Sequence, residues 1–139
     1  MTASQMIFQP YAAQVRFSAD DTVPEGRWRE YLAGFLENLA LRCDVPGTSV
    51  IGHIKALGLF QDHRYLRASL VSTGHPADVE GNPPDEFRQM DITLNVLVYG
   101  LDRTVIEALV GAVILEVDQG FPGSISLLPA KMEFPVFPG

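Results

Sequence analysis

Three segments in the middle of the chain alternate polar and apolar residues, and this alternation constrains the fold more than any other feature of the sequence. The segments are Ser49–Leu59, Tyr65–Ser72 and Met90–Tyr99. Because successive side chains of a β-strand point to opposite faces, each segment predicts a strand with one polar and one apolar side. In the first of them, Val50 and Gly52 are expected on the apolar side. The chain should therefore form a sheet with one apolar face that must be covered and one polar face.

The polar positions of these strands are the first candidate for a functional site. The candidate ligand-binding residues are His53, Lys55, Arg67, Ser69, Asp91, Asn95 and, from an earlier strand, Arg16. If the strands are neighbours, the cations could hold a carboxylate or a phosphate, because Arg offers a planar fork and Lys a point charge. A histidine beside a lysine could also transfer protons if burial shifted either pKa. The other interpretation is a solvated or protein-covered face, which such alternation equally produces.

Two further segments follow the helical period. Apolar residues recur every three or four positions from Trp28 to Cys43, which predicts a helix with one buried face. Thr22–Glu25 has the form of a capping box, so we expect Thr22 to be the N-cap of this helix. A second helix is predicted over Arg103–Asp118, with Asp102 as its N-cap.

The order of these elements predicts the fold class. A first strand is expected at Pro10–Ser18 and a last one near Ser124–Leu128, so the order is strand, helix, three strands, helix, strand. This predicts an α+β fold in which two helices pack on one face of a mostly antiparallel sheet of about five strands, a variant of the ferredoxin-like fold. We expect one domain over residues 1–139, with a mobile loop at residues 74–89 and an irregular tail at residues 129–139.

The second helix has almost no polar side between Val105 and Val117. A sheet can cover only one flank of it, so the other flank must meet the first helix, another subunit, or the tail residues Phe134, Val136 and Phe137. We expect a homodimer, because an exposed apolar flank promotes association.

Composition restricts the class of partner. The 139 residues carry a formal net charge of −7, which argues against general binding to nucleic acids or to anionic membranes.

Cys43 is the only cysteine, so no intrachain disulfide can form. No signal peptide is recognisable either, and we therefore expect a cytoplasmic protein. The three histidines lack zinc-site spacing, so no metal site is expected, and nothing in the sequence indicates a cofactor.

The segments GHIKA at Gly52–Ala56 and YLRASL at Tyr65–Leu70 resemble the small C-terminal domain of CobW-type metallochaperone GTPases. The resemblance covers only the two central strands. The phosphate loop and the metal-binding cysteines of the GTPase half have no counterpart in this sequence, so no residue role is transferred from that family.

From these patterns we expect a small non-catalytic binding or accessory protein that self-associates, with another protein or a second copy as its partner. The alternative is a protein that binds an anionic small molecule, or a small enzyme, and uses the polar face of the sheet.

Overall fold

A computed structural model describes residues 10–129, and these form six strands and two helices. The elements are β1 Tyr11–Pro24, α1 Glu25–Cys43, β2 Val50–Leu59, β3 Tyr65–Leu70, β4 Asp78–Gly81, β5 Glu86–Tyr99, α2 Arg103–Asp118 and β6 Gly123–Leu127. The predicted α+β class, with two helices on one antiparallel sheet, is confirmed; the sheet has six strands rather than five. The predicted tail cover by Phe134, Val136 and Phe137 lies outside the described residues.

The strand order is β4-β3-β2-β5-β1-β6, and every neighbouring pair is antiparallel. The chain passes from β1 through α1 to β2, and β5 lies between these two strands in the sheet. It passes from β5 through α2 to β6 in the same way, and β1 lies between those two strands. Two interleaved crossovers of this kind are the arrangement of the ferredoxin-like fold. The β3–β4 hairpin is the addition, and it extends the sheet beyond β2.

The sixth strand comes from the segment for which we expected a long loop. β4 pairs with β3, so that Glu80 lies opposite Arg67 and Asp78 lies opposite Ser69. The end of the same segment, from Glu86, belongs to β5. β4 therefore widens the sheet in its own plane. The mobility of residues 74–89 stays a prediction.

The core lies between the apolar face of the sheet and the helices. α1 runs over β2 and β3, whereas α2 runs over β6 and β1 and lies beside α1. Phe17 of β1 contacts Phe35 of α1 and Phe121 edge to face, with ring centroids 5.8 and 5.2 Å apart. Trp28 is fully buried, and its Nε1 donates to the carbonyl oxygen of Phe87 at 3.3 Å.

The start of α1 differs from the prediction. β1 continues through Thr22 to Pro24, and Pro24 stands at the N-cap position without a side-chain hydrogen bond. The amide of Glu25 instead donates to the carbonyl oxygen of Asp85 at 2.9 Å. The pairing of β1 with β5 thus gives the amide of Glu25 the hydrogen-bond acceptor that the side chain of Thr22 would have provided in a capping box. α2 has the predicted bounds, and Asp102 Oδ1 accepts from the amide of Val105 at 2.9 Å, as expected of its cap.

A β-bulge in β2 changes the faces of its first residues. Ile51 and His53 lie opposite consecutive residues of β5, so Gly52 is the extra residue. The bulge shifts the alternation by one position. Ile51 therefore packs against the core, whereas Val50, predicted to point inward, is 58% exposed.

Gly100 ends β5 in a conformation that only glycine adopts easily. Its φ is +93°, and a Cβ there would overlap the carbonyl oxygen of Thr48. We expect Gly100→Ala to lower the free energy of unfolding by more than about 2 kcal/mol, measured by urea denaturation. Gly34→Ala in α1 is the matched control: an added Cβ meets no atom within 4 Å, and the change should stabilise the protein by about 0.5–1 kcal/mol. Equal effects of the two substitutions would contradict this description.

Candidate functional site

The strand order places the polar faces of β3, β2, β5 and β1 side by side, on the face of the sheet opposite the helices, here named the open face. Lys55 lies directly opposite Ser69 on β3 and Asn95 on β5. Arg16 lies opposite Asp91. The condition of strand adjacency is therefore met for these residues, whose Cβ atoms are expected about 5 Å apart.

Arg16 and Asp91 form a two-point ion pair. Arg16 Nε donates to Asp91 Oδ1 at 2.8 Å, and Nη2 donates to Oδ2 at 3.3 Å. Gln89 Nε2 also donates to Asp91 Oδ1, at 3.4 Å. The hydrogen bond to Asp91 raises the pKa of Arg16 above its ordinary value. Both carboxylate oxygens are thus engaged within the protein, which favours a structural role for this pair.

Arg67 is also paired, with a residue that sequence reasoning missed. Its Nη1 lies 3.4 Å from Glu80 Oε1, and its guanidinium lies 5.5 Å from the centre of the Tyr65 ring. β4 brings a second carboxylate, Asp78, opposite Ser69. The only sequence signal for these partners was the short alternation Asp78-Val79-Glu80 within a segment rich in glycine and proline.

The register separates the remaining candidates. His53 lies opposite Leu97, six residues along β5 from Asp91, which corresponds to about 20 Å. Lys55 lies opposite Asn95, about 14 Å from Asp91 along the strand. His53 Nδ1 is buried without a hydrogen-bond partner among residues 10–129. The expected four-residue set of His53, Lys55, Arg67 and Asp91 therefore shares a face but does not converge on one point.

The candidate residues of the open face line two separate clefts. Asp91 lines a cleft of about 570 Å³ beside the β2–β3 turn, whose residues Asp62 and His63 both have φ of +61°. Arg67 and Ser69 line a separate cleft of about 390 Å³ together with the two carboxylates of β4. Neither cleft contains both Asp91 and Arg67, so the polar candidates do not surround one ligand-sized space.

The candidate cations of the open face have anions as cross-strand neighbours. Arg16 lies opposite Asp91, and Arg67 lies opposite Glu80. An anionic metabolite would be attracted by a locally positive field. The ion pairs of Arg16 with Asp91 and of Arg67 with Glu80 weaken such a field.

A second candidate surface lies on α2. The helix buries Ile106, Val110, Val113 and Ile114 against the core. The opposite side, here named the outer flank, consists of Val105, Ala108, Ala112 and Leu115. Val105 is 42% exposed and Leu115 is 72% exposed. Within residues 10–129, then, Val105, Ala108 and Leu115 are exposed and Ala112 is partly buried, and the predicted all-round burial of this helix is not seen.

Other chemistry finds little support in the described residues. Cys43 is buried at the end of α1, and burial raises the pKa of its thiol to about 11. Residues 10–129 contain no group of three or more His, Cys, Asp or Glu side chains that could hold a metal ion. Over the same residues, neither helix combines the length and apolar character that crossing a membrane requires.

No protein-family model matches the chain, and comparisons with curated proteins and with solved structures give no significant match. The resemblance of the two central strands to CobW-type domains is therefore not extended to a family assignment.

The two ion pairs of the open face should differ in their contribution to stability. The side chains of Arg16 and Asp91 are 34% and 17% exposed, whereas those of Arg67 and Glu80 are 47% and 72% exposed. We expect Asp91→Asn to lower the free energy of unfolding by about 1 kcal/mol, and Glu80→Gln by less than about 0.5 kcal/mol, because solvent screens the second pair. Urea denaturation of both variants gives the comparison; a larger loss for Glu80→Gln would show that the pairing is misassigned.

Proposed function

We propose that this chain is a small, non-catalytic binding or accessory protein that self-associates as a homodimer. The observation that carries the proposal is the outer flank of α2, an apolar strip that faces away from the core. Contiguous exposed apolar residues are a common feature of protein interfaces. A second copy of the chain brings an identical strip, so a two-fold dimer covers both at once.

The size of the strip sets the expected strength of the dimer. The strip from Val105 to Leu115 spans 11 residues, or about 16 Å, and at a width of about 10 Å it covers about 160 Å² per copy. At about 25 cal/mol per Å², burial on both copies contributes about 8 kcal/mol, against an association cost of about 4–15 kcal/mol. We therefore expect a weak dimer, with a dissociation constant of about 1 mM.

The open face supports a binding role better than catalysis. Its candidates Arg16, Arg67 and Asp91 are held in internal ion pairs, and His53 lies about 20 Å along the sheet from Asp91. The alternative function, in which an anionic small molecule or a substrate binds there, requires these groups to converge. No observation on the open face favours that alternative over the dimer.

The proposed setting is the cytoplasm. A single buried thiol with a raised pKa needs no oxidising environment and resists oxidation, because the thiolate is the reactive form. The acidic balance of the chain suits a soluble protein whose partner is another protein or a second copy.

Sedimentation equilibrium between about 10 μM and 1 mM tests the proposal up to the expected dissociation constant. We expect the wild-type protein to show a monomer–dimer equilibrium and Leu115→Asp to remain monomeric, because a charge in the strip must be desolvated. Val71→Asp is the matched control: Val71 is 67% exposed, close to the 72% of Leu115, but follows β3 at the end of the sheet.

The control variant should dimerise like the wild type, with circular dichroism confirming that both variants fold. A wild-type protein that is monomeric throughout this range would refute the proposal. So would dimer loss in Val71→Asp with none in Leu115→Asp.

A further inference from the structure

The outer flank of α2 has a two-fold pattern of its own. Its members follow one another at intervals of three, four and three residues, which is the spacing of the contact seam of a coiled coil. The pattern is also symmetric about Val110: Val105 and Leu115 are five residues from it, and Ala108 and Ala112 are two residues from it. A pattern that reads the same in both directions suits two helices that run in opposite directions.

We infer that two copies of this chain join through antiparallel packing of their α2 helices, with the two-fold axis at the level of Val110. This inference rests on the self-association proposed above and specifies its surface and register. Val105 then meets Leu115 of the partner subunit, and Ala108 meets Ala112 of the partner subunit. Every member of the outer flank thereby gains an apolar neighbour.

Side-chain size fits this register. Ala108 and Ala112 stand at the centre of the strip, with Gly111 beside them, so the two backbones can approach to about 8 Å at the crossing point. The larger Val105 and Leu115 stand near the ends, where they fill the space between the helices as these diverge. The central residues allow the approach, and the outer residues supply most of the buried area.

Charge selects the antiparallel direction. Glu116 borders the outer flank, and its carboxylate accepts from Arg42 Nε of α1 at 3.0 Å. Parallel packing would bring the two copies of Glu116 side by side, which is unfavourable in chains that are already acidic. Antiparallel packing separates them by 12 helical positions, or about 18 Å, and places each beside Thr104 of the partner subunit.

Disulfide trapping with single-cysteine variants tests the register. Val105→Cys and Leu115→Cys are oxidised alone and as an equal mixture, and disulfide-linked dimer is measured by non-reducing electrophoresis. Antiparallel packing places Val105 beside Leu115 of the partner subunit, within disulfide reach, but separates equivalent positions by about 15 Å along the axis. The mixture should therefore give about tenfold more linked dimer than either variant alone. Wild-type protein, in which the only thiol is the buried Cys43, gives the background.

The possible outcomes separate the inference from the proposed function. Linkage of each variant alone, without enhancement in the mixture, indicates parallel packing and overturns the inference. Dimeric wild-type protein with no linkage in any sample overturns the inference and leaves self-association standing. If the wild-type protein is monomeric and the mixture links only after residues 130–139 are deleted, that segment covers the flank. Both the inference and the proposed function then fail.

Discussion

Burial of the sheet's apolar face beneath the helices is the interaction on which the rest of this structure depends. β5 lies between β1 and β2, so the crossover through α1 must span it, and the crossover through α2 spans β1 in the same way. Both helices then share one layer, so neither of them covers the open face. Within that layer α2 has α1 on one side and the sheet below it, so most of its outer flank is exposed within residues 10–129. The proposed interface is thus a consequence of the topology.

The fold could be predicted from the sequence wherever the spacing of apolar residues shows which side of a helix or strand is buried. The alternation in β2, β3 and β5 predicted their positions and most of their faces, and the helical stripe predicted α1. The failures share one physical cause, because each was decided by pairing between distant strands. Gly52 became a bulge in the pairing with β5, and Thr22 lost its capping role when β1 continued beside β5. β4 is only four residues long, too short for its alternation to stand out.

The candidate site was predictable in part for the same reason. The sequence placed His53, Lys55, Arg67 and Asp91 on one face, and the structure has them there. Their register and their charge partners depend on strands whose pairing the sequence does not report, which is why the carboxylate of Glu80 beside Arg67 was missed. The apolar character of α2 was plain from the sequence, but its exposed flank became identifiable only once the core had been located.

The central claim is that the outer flank of α2, and not the open face, is the surface through which copies of this chain meet. The most direct test is methyl NMR as a function of protein concentration. Leu57 lies opposite Arg67, and Leu97 lies opposite His53, so both are on the open face. We expect the methyl signals of Val105 and Leu115 to shift together as the concentration rises, while those of Leu57 and Leu97 stay constant. Shifts confined to Leu57 and Leu97, or constant signals at all four residues, would contradict it.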